Sequence, residues 1–262
     1  FMHIKAATSG KAPDCVVMNV TVRSMKLHGG AFGDRGGIRP DKATLEAENV
    51  SATVSGARTN LDRHIRNMAA FGIPVVVSIN KFASDTDAEI SAIHDAAHES
   101  GATSVCITEV HANGGEGGKD LAQAVVKAVQ NHIASGRPFV PLFKPDVDVV
   151  EKATAIATRM YKANGISMTA KAKRELDRIR SWGYGNLPVC MAKTQYSFSH
   201  DASLLGAPTG FTVPIGEFRL NAGAGFIVAV LGNMMTMPGL PKRPAALDMD
   251  MDENGNLLGV FG

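Results

Sequence analysis

The chain has 262 residues, of which 45% are hydrophobic and 20% are charged, and its net charge at neutral pH is +2. Such a length and composition are typical of a globular protein with a substantial buried core. The net charge is too small to argue for a nucleic-acid or membrane partner, so we expect neither, and no run reaches the roughly 18 apolar residues that span a bilayer.

Three cysteines, Cys15, Cys106 and Cys190, occur outside any CxxC or Cys/His metal-binding spacing. A sparse, odd set of this kind predicts reduced thiols and a cytoplasmic protein. The sequence opens at Phe1 rather than at Met, and structured-looking sequence follows within a few residues. This start is typical of a fragment or a processed product, so we expect a longer parent protein.

Short apolar runs rich in Val and Ile predict strands that are buried on both faces, as in a parallel sheet. Between them, apolar residues recur every three or four positions, which predicts helices, and Thr86 with Glu89 forms a capping box. Strands that alternate with helices indicate an α/β fold with a mostly parallel sheet flanked by helices. The predicted strands are residues 16–22, 73–80 and 103–110, and the helical faces are Leu61, Ile65 and Met68, then Ile90, Ile93 and Ala97, then Leu121, Val125 and Val129.

The pattern changes after Pro145. Two helices are predicted, separated by Asn164-Gly165, and short strands bounded by Gly and Pro follow. We therefore predict an α/β sheet portion over residues 1–145 and a smaller C-terminal α+β portion over residues 146–262. The second portion either stands alone or packs on the first sheet. The predicted helices are 148–163 and 169–181, and the predicted strands are 194–199, 211–220 and 225–231.

The run from Asn80 to Asp85 follows one predicted strand and precedes the helix capped by Thr86. Ligands of open α/β sheets bind at the carboxyl ends of strands, so this run is a candidate nucleotide site. The Asn amide and the Asp carboxylate could read a purine edge. The alternative is structural: Asn80 ends the strand and Asp85 lies in the turn beside the cap.

Glu109 opens a second candidate segment, which follows the next predicted strand. Gly114, Gly115 and Gly117 flank Glu116 there, and Gly118 follows. Glycines let a backbone approach a ligand closely, and their N–H groups can face an anion. The alternative is a flexible surface loop, and we favour the ligand-binding interpretation.

Arg23 and Lys26 lie at the end of the first predicted strand, before His28 and a glycine pair. Both cations are candidates for binding a carboxylate or a phosphate, or else they form structural ion pairs. Near the C-terminus, Pro238, Gly239 and Leu240 form a rigid turn, which is either a pocket wall or a chain reversal.

Several long blocks, in order along the chain, resemble formate–tetrahydrofolate ligase from its middle to its C-terminus. Arg23–Gly30 resembles the family signature Thr-Val-Arg-Ala-Leu-Lys-x-His-Gly-Gly. The resemblance covers nearly the whole chain and implies a P-loop NTPase-like core. The other matching blocks are Phe71–Val77, Ile79-Asn80, Gly114–Gly118, Gly185–Gln195, Ala222–Phe226 and Met235–Pro241.

The resemblance implies a ligase of one-carbon metabolism, in which ATP phosphorylates formate and tetrahydrofolate then attacks formyl phosphate through a tetrahedral oxyanion. It implies that Phe82 and position 111 hold the pterin between two flat faces. The family has Trp where this chain has His111, and imidazole offers a smaller stacking area than indole. The implied folate-binding residues are Phe82, His111, Pro238, Gly239 and Leu240, and the implied nucleotide-cleft residues are Asn80, Asp85, Glu109, Gly114, Gly115, Glu116 and Gly117.

The family's phosphate-binding Gly-rich loop and its formyl-phosphate-binding cations belong to an N-terminal half that this sequence does not match. The pattern Gly-x-x-x-x-Gly-Lys-[Ser/Thr] occurs nowhere in the 262 residues, which also disfavours a simple P-loop ATPase. The resemblance therefore predicts a portion of the ligase that is inactive alone and needs that half, in cis or in trans. The alternative is a non-catalytic folate- or nucleotide-binding module or a regulatory paralogue, which His111 and the Gly-rich segment 31–43 favour.

The resemblance also implies Mg²⁺-ATP and tetrahydrofolate as substrates, a response to monovalent cations, and a homotetramer. No spacing in the sequence identifies a metal site or an oligomer face.

Overall fold

The computed structural model of the chain describes residues 1–32, 42–232, 244–253, 255 and 257–258. The chain forms two compact units, residues 1–232 and residues 233–262. The first unit runs across position 145, where the sequence suggested a boundary, and that boundary stays a prediction. No helix in the described ranges is long and apolar enough to cross a bilayer.

Half of the ten helices in the described residues begin at a polar side chain that caps the first turn. Two of them continue into single π-helical turns, Ala57–Leu61 and Ile156–Met160. The helices are α1 Lys5–Ser9, α2 Val22–His28, α3 Lys42–Glu46, α4 Val50–Gly56, α5 Asp62–Ala69, α6 Asp87–Glu99, α7 Val110–Asn113, α8 Lys119–Ser135, α9 Val149–Ala155 and α10 Ala170–Ser181.

The strands of the described residues form three sheets. In the first unit, β1, β2 and β3 make a parallel sheet, and β4, β6, β7 and β5 make a mixed sheet in that order. The second unit contains the antiparallel pair β8–β9. The strands are β1 Val16–Val20, β2 Val75–Asn80, β3 Ser104–Thr108, β4 Gly165–Met168, β5 Val189–Ala192, β6 Thr212–Asn221, β7 Phe226–Leu231, β8 Asp250–Met251 and β9 Leu257–Leu258.

The parallel sheet is flanked by helices on both faces, which confirms the predicted α/β fold. Val77 and Ile79 of β2 pack with Ile65 of α5 and Ile93 of α6 in one core cluster. Helix α8 contacts β2 and β3, and the Cys106 thiol points to the backbone of this helix. Because side chains alternate along a strand, these contacts lie on opposite faces of the sheet.

The expectation that all three strands are buried on both faces is confirmed only for β2. Its residues are buried from Val75 to Ile79, whereas Val17 of β1 and Ile107 of β3 are each 47% exposed. In the part of the chain that the structure describes, β1 and β3 are the edge strands of this sheet, each paired with β2 alone. The expectation was therefore wrong for the edges, where fewer elements cover the side chains.

The region after position 145 follows the predicted pattern in part. Helices α9 and α10 and strands β6 and β7 lie where they were predicted, and β4 lies where the sequence predicted a break at Asn164-Gly165. The predicted strand 194–199 is wrong. The Ser197 hydroxyl accepts from the Ser199 N–H (2.9 Å), and the Ser199 hydroxyl accepts from the Asp201 N–H (3.0 Å). Local bonds of this kind replace a strand ladder.

The two sheets of the first unit share one hydrophobic core cluster. Phe71 and Ile73, which precede β2, pack together with Val149 of α9, Leu176 of α10 and Ile227 of β7. All five side chains are at most 3% exposed. Residues on either side of position 145 therefore contribute to one core.

Candidate functional site

All three strands of the parallel sheet end at the same edge. Val20 lies opposite Ile79, and Ile79 lies opposite Ile107. The segments that follow β1, β2 and β3, which carry the candidate residues, are therefore neighbours at the carboxyl edge of the sheet. Three segments meet here: helix α2, residues 81–86, and residues 109–118.

A tight turn follows β2 and is closed by Asp85. The Phe82 N–H donates to Asp85 Oδ2 (2.9 Å), and the Asp85 N–H donates to the Phe82 carbonyl (3.0 Å). Asp85 is 8% exposed. Burial raises the pKa of Asp85, although the hydrogen bond from Phe82 and the nearby Lys26 ammonium act against this change. Asn80 is half-buried at the end of β2, and Phe82 is exposed.

Helix α2 begins at this edge, where the sequence predicted the end of a strand. Strand β1 stops at Val20, and Thr21 caps the helix through a reciprocal pair of bonds with Ser24. Arg23 lies in the first turn of α2. Its guanidinium lies over the Phe82 ring, 4.8 Å from the ring centroid, and its Nη2 is 3.6 Å from Glu46 Oε1.

Lys26, one turn further along α2, is 1% exposed and forms a buried ion pair. Its Nζ donates to Glu89 Oε1 (2.8 Å) and to the carbonyls of Ala47 (2.9 Å) and Leu45 (3.5 Å). Glu89 also accepts from the Asn49 N–H. Burial opposes ionisation of Glu89, but the hydrogen bonds from Asn49 and Lys26 hold the pKa of Glu89 below its usual value. These contacts match a structural ion pair, which the sequence analysis left open as the alternative to anion binding by Lys26.

The segment after β3 is a compact loop whose glycines have distinct roles. The Glu109 N–H donates to the Gly117 carbonyl, and the Glu109 carbonyl accepts from the Asn113 N–H. A Cβ at position 117 would come within 3.0 Å of the Glu109 backbone, so this close approach requires glycine. Gly114 has φ of +57°, which also favours glycine, whereas a Cβ at Gly115 would meet open space.

His111 lies in the short helix α7 and is exposed. Glu116 is exposed in the 3₁₀ turn Gly114–Gly118, where it pairs with Lys119 at 3.3 Å. Both side chains lie on the loop that follows β3. Pro238, Gly239 and Leu240 lie outside the described residues.

Lys81 joins two of the three segments, and only its place in the turn could have pointed to it from the sequence. Its N–H donates to the Thr108 carbonyl at the end of β3 (3.0 Å), and its Nζ lies 3.8 Å from Glu109 Oε1. Together with the Arg23–Phe82 contact, this pair links the segments after all three strands.

A second polar cluster connects α2 and the π turn to the segment after β5. The Gly206 N–H donates to His28 Nδ1 (3.2 Å), and Asn60 Nδ2 donates to the Gly206 carbonyl (3.0 Å). Lys193 Nζ donates to the carbonyls of Thr194 and Ser197. Burial lowers the pKa of Lys193 to about 8 and also lowers the pKa of His28. Sequence spacing could not reveal this cluster, since its members are far apart in the chain.

Metal ligation has no support within the described ranges. No group of three or more His, Cys, Asp or Glu side chains there could hold an ion.

One comparison with known proteins identifies the family of this chain. The family model described as formate–tetrahydrofolate ligase matches residues 1–261. The match includes the segments after β1, β2 and β3 and nearly every other residue of the chain. The chain belongs to the formate–tetrahydrofolate ligase family.

Proposed function

We propose that this chain takes part in the ATP-dependent formation of 10-formyltetrahydrofolate from formate and tetrahydrofolate. The family match over residues 1–261 carries this proposal. The contacts at the carboxyl edge of the parallel sheet support it, because open α/β sheets bind ligands at this edge. The three free, partly buried cysteines suit a cytoplasmic protein.

For tetrahydrofolate, we propose that Phe82 and His111 stack on the pterin. Phe82 is 39% exposed, which leaves ring surface open to a ligand. His111 is exposed on the neighbouring loop, and its imidazole is flat. Pro238, Gly239 and Leu240 lie outside the described residues and are proposed for folate binding from the resemblance alone.

For ATP, we propose that Asn80, Asp85 and Glu109 contribute to the nucleotide cleft, together with the loop Gly114–Gly117. The half-buried Asn80 amide can both donate and accept. Asp85 already accepts from the Phe82 N–H, so it shapes the turn as well. Gly114, Gly115 and Glu116 are exposed on the loop that follows β3.

For an anionic group of a substrate, Arg23 is the stronger of the two candidates. Lys26 has three N–H groups, and three protein oxygens lie within 3.5 Å of its Nζ. Arg23 is about one-third exposed, and its Nε is buried with no hydrogen-bond partner among the described residues.

Phosphate chemistry needs more than these residues supply. The 262 residues contain no Gly-x-x-x-x-Gly-Lys-[Ser/Thr] loop that would bind the γ-phosphate of Mg²⁺-ATP. We therefore infer that the chain acts with the family's N-terminal half, in cis or in trans, and is inactive by itself. Mg²⁺ would enter bound to ATP, and the described residues single out no site for a monovalent cation or a tetramer contact.

The test is complementation. The purified 262-residue chain is assayed for formate- and ATP-dependent formylation of tetrahydrofolate, alone and with the N-terminal half of an active family member. We expect turnover only in the mixture, and an N-terminal half whose phosphate-loop Lys is changed to Ala serves as the control. Turnover by the chain alone would overturn the inactivity. Tetrahydrofolate binding without turnover in any mixture would favour the alternative, a non-catalytic module, and no binding at all would overturn the function.

A further inference from the structure

One face of the Phe82 ring is covered by a charged group of the protein. The Arg23 guanidinium carbon lies 4.8 Å from the ring centroid, well within the range of about 6 Å for a cation–π contact. Phe82 is nevertheless 39% exposed. The ring therefore keeps exposed surface beside the part that Arg23 covers.

The position of Arg23 is unfavourable for the helix that carries it. Arg23 is the second residue of α2, directly after Val22 and the Thr21 cap. A positive charge in the first turn opposes the helix dipole, so helix stability does not explain an arginine here. Residues that break a local rule of this kind are expected at functional positions.

Ion pairing explains the contact only in part. The Arg23 guanidinium lies 3.6 Å from Glu46, which is longer than a hydrogen bond, and both side chains are 34% exposed. Its Nε is buried and has no hydrogen-bond acceptor in the described part of the chain. Within the described ranges, the Arg23 guanidinium contacts the aromatic face of Phe82.

We propose that Arg23 is a positioning residue: it fixes the Phe82 ring and covers one face, so that the pterin of tetrahydrofolate stacks on the other. This rests on the proposed function, in which Phe82 binds the pterin. A planar guanidinium matches a ring face in shape, and Glu46 Oε1 lies 3.6 Å from its Nη2. The turn closed by Asp85 fixes the Phe82 backbone, and Arg23 fixes the ring.

A direct contact between Arg23 and a substrate anion is the competing role, and a double-mutant cycle separates the two. Equilibrium dialysis measures the Kd of tetrahydrofolate for the 262-residue chain and for its R23A, F82A and R23A/F82A variants. We expect R23A to raise the Kd about fivefold, as is typical of a lost cation–π contact. In the F82A background, R23A should have no further effect, because Arg23 acts only through the ring. Equal effects of R23A in both backgrounds would overturn the proposal.

Glu46→Gln is the matched control for stability. It weakens the ion pair but leaves the guanidinium on the ring, so its Kd should stay within about twofold of the original chain. Arg23→Lys keeps the charge but not the planar group, and we expect its Kd to lie between those of the original chain and R23A. A Kd for E46Q as high as that for R23A would assign the effect to the ion pair.

A readout without ligand separates this inference from the proposed function. The NMR resonances of the Phe82 ring are compared between the original chain and R23A, and we expect them to shift and to show faster ring rotation in R23A. Unchanged Phe82 resonances would overturn the positioning role. If the original chain binds no tetrahydrofolate, the proposed function fails, and the ring resonances alone decide whether Arg23 orders Phe82.

Discussion

At the scale of single residues, three cations near the carboxyl edge of the parallel sheet differ in how deeply they are buried. Lys26 is 1% exposed and is surrounded by protein oxygens. Lys81 and Arg23 are about one-third exposed and pair with carboxylates at 3.8 Å and 3.6 Å, where solvent weakens the attraction. Removing the partner of Lys26 would leave a buried charge, whereas breaking the ion pairs of Lys81 and Arg23 would cost little.

The residue at position 111 offers a direct test of the stacking proposed for the pterin. His111→Trp enlarges the flat surface on helix α7, so we expect tetrahydrofolate to bind about fivefold more tightly. The measurement is the Kd by equilibrium dialysis. His98→Trp, at an exposed position of α6, is the control and should leave the Kd unchanged. An unchanged Kd for His111→Trp would contradict a stacking role for this position.

The sequence could place residues at the sheet edge but could not assign their roles. Asn80 ends β2, Phe82 and Glu109 follow β2 and β3, and the strand order alone brings them together. The role of Lys26 depends on Glu89, which is distant in the sequence, and the role of Arg23 depends on which way its side chain turns. Such choices are made by tertiary packing, which residue spacing does not encode.

At the scale of elements, helices α2 and α4 pack unusually closely through two glycines. A Cβ at Gly29 would collide with the Ala52 carbonyl, and a Cβ at Gly56 would collide with the Met25 carbonyl. Each helix therefore contributes one glycine that admits the backbone of the other. The sequence showed the first glycine within a family-like block, but it could not show that a second one packs in the same interface.

Gly56→Ala should separate these helices. The added methyl group overlaps a rigid backbone carbonyl, so we expect the free energy of unfolding to fall by about 2–3 kcal/mol. Urea unfolding followed by circular dichroism measures the change. Gly223→Ala is the matched control, because a Cβ there meets nothing within 4 Å, and it should change stability by less than about 0.5 kcal/mol. Equal effects of the two substitutions would show that the close packing is not rigid.

Helices were predicted best where the hydrophobic repeat continues over two or more turns. The Thr86 capping box and the buried faces of α5 and α6 are confirmed. Helix α2 and strand β4 were missed because each is short and carries polar residues that obscure any period. The run 194–199 alternates like a strand, but its serine hydroxyls bond to the local backbone instead.

At the scale of the whole first unit, the two sheets are joined by a shared apolar core and by polar contacts. Among these contacts are the hydrogen bonds of His28 and Asn60 to Gly206, which we call the clasp. Phe71 and Ile227 belong to the same buried cluster, and His28 and Asn60 both hold Gly206. The clasp at His28 requires a neutral ring, because Nδ1 must accept the Gly206 N–H. Acid is therefore expected to weaken the connection.

The pH dependence of stability tests this clasp. Burial lowers the pKa of His28 below its ordinary value of 6.5, so the folded state favours the neutral ring more than the unfolded chain does. This contribution is complete above pH 6.5 and is lost as the pH falls toward the folded-state pKa. We expect His28→Gln, which keeps an acceptor, to reduce the loss of unfolding free energy between pH 7 and pH 5, by at most about 1.4 kcal/mol per pH unit.

Urea unfolding at a series of pH values measures this difference. His98→Gln, at an exposed position, is the control and should keep the original slope. A slope for His28→Gln equal to that of the original chain would show that the clasp does not respond to protonation.

The π turn Ala57–Leu61 gives the helix from Val50 to Ala69 a built-in angular offset. Each residue of an α-helix advances the side-chain direction by about 100°, and a π turn encloses one residue more than an α turn. The segment before it can therefore face α2 through Gly56 while the segment after it turns Ile65 toward the sheet. Removing one residue from this turn would restore a regular helix but rotate Ile65 away from its core. The length of the turn therefore sets which side chains of α5 face the sheet.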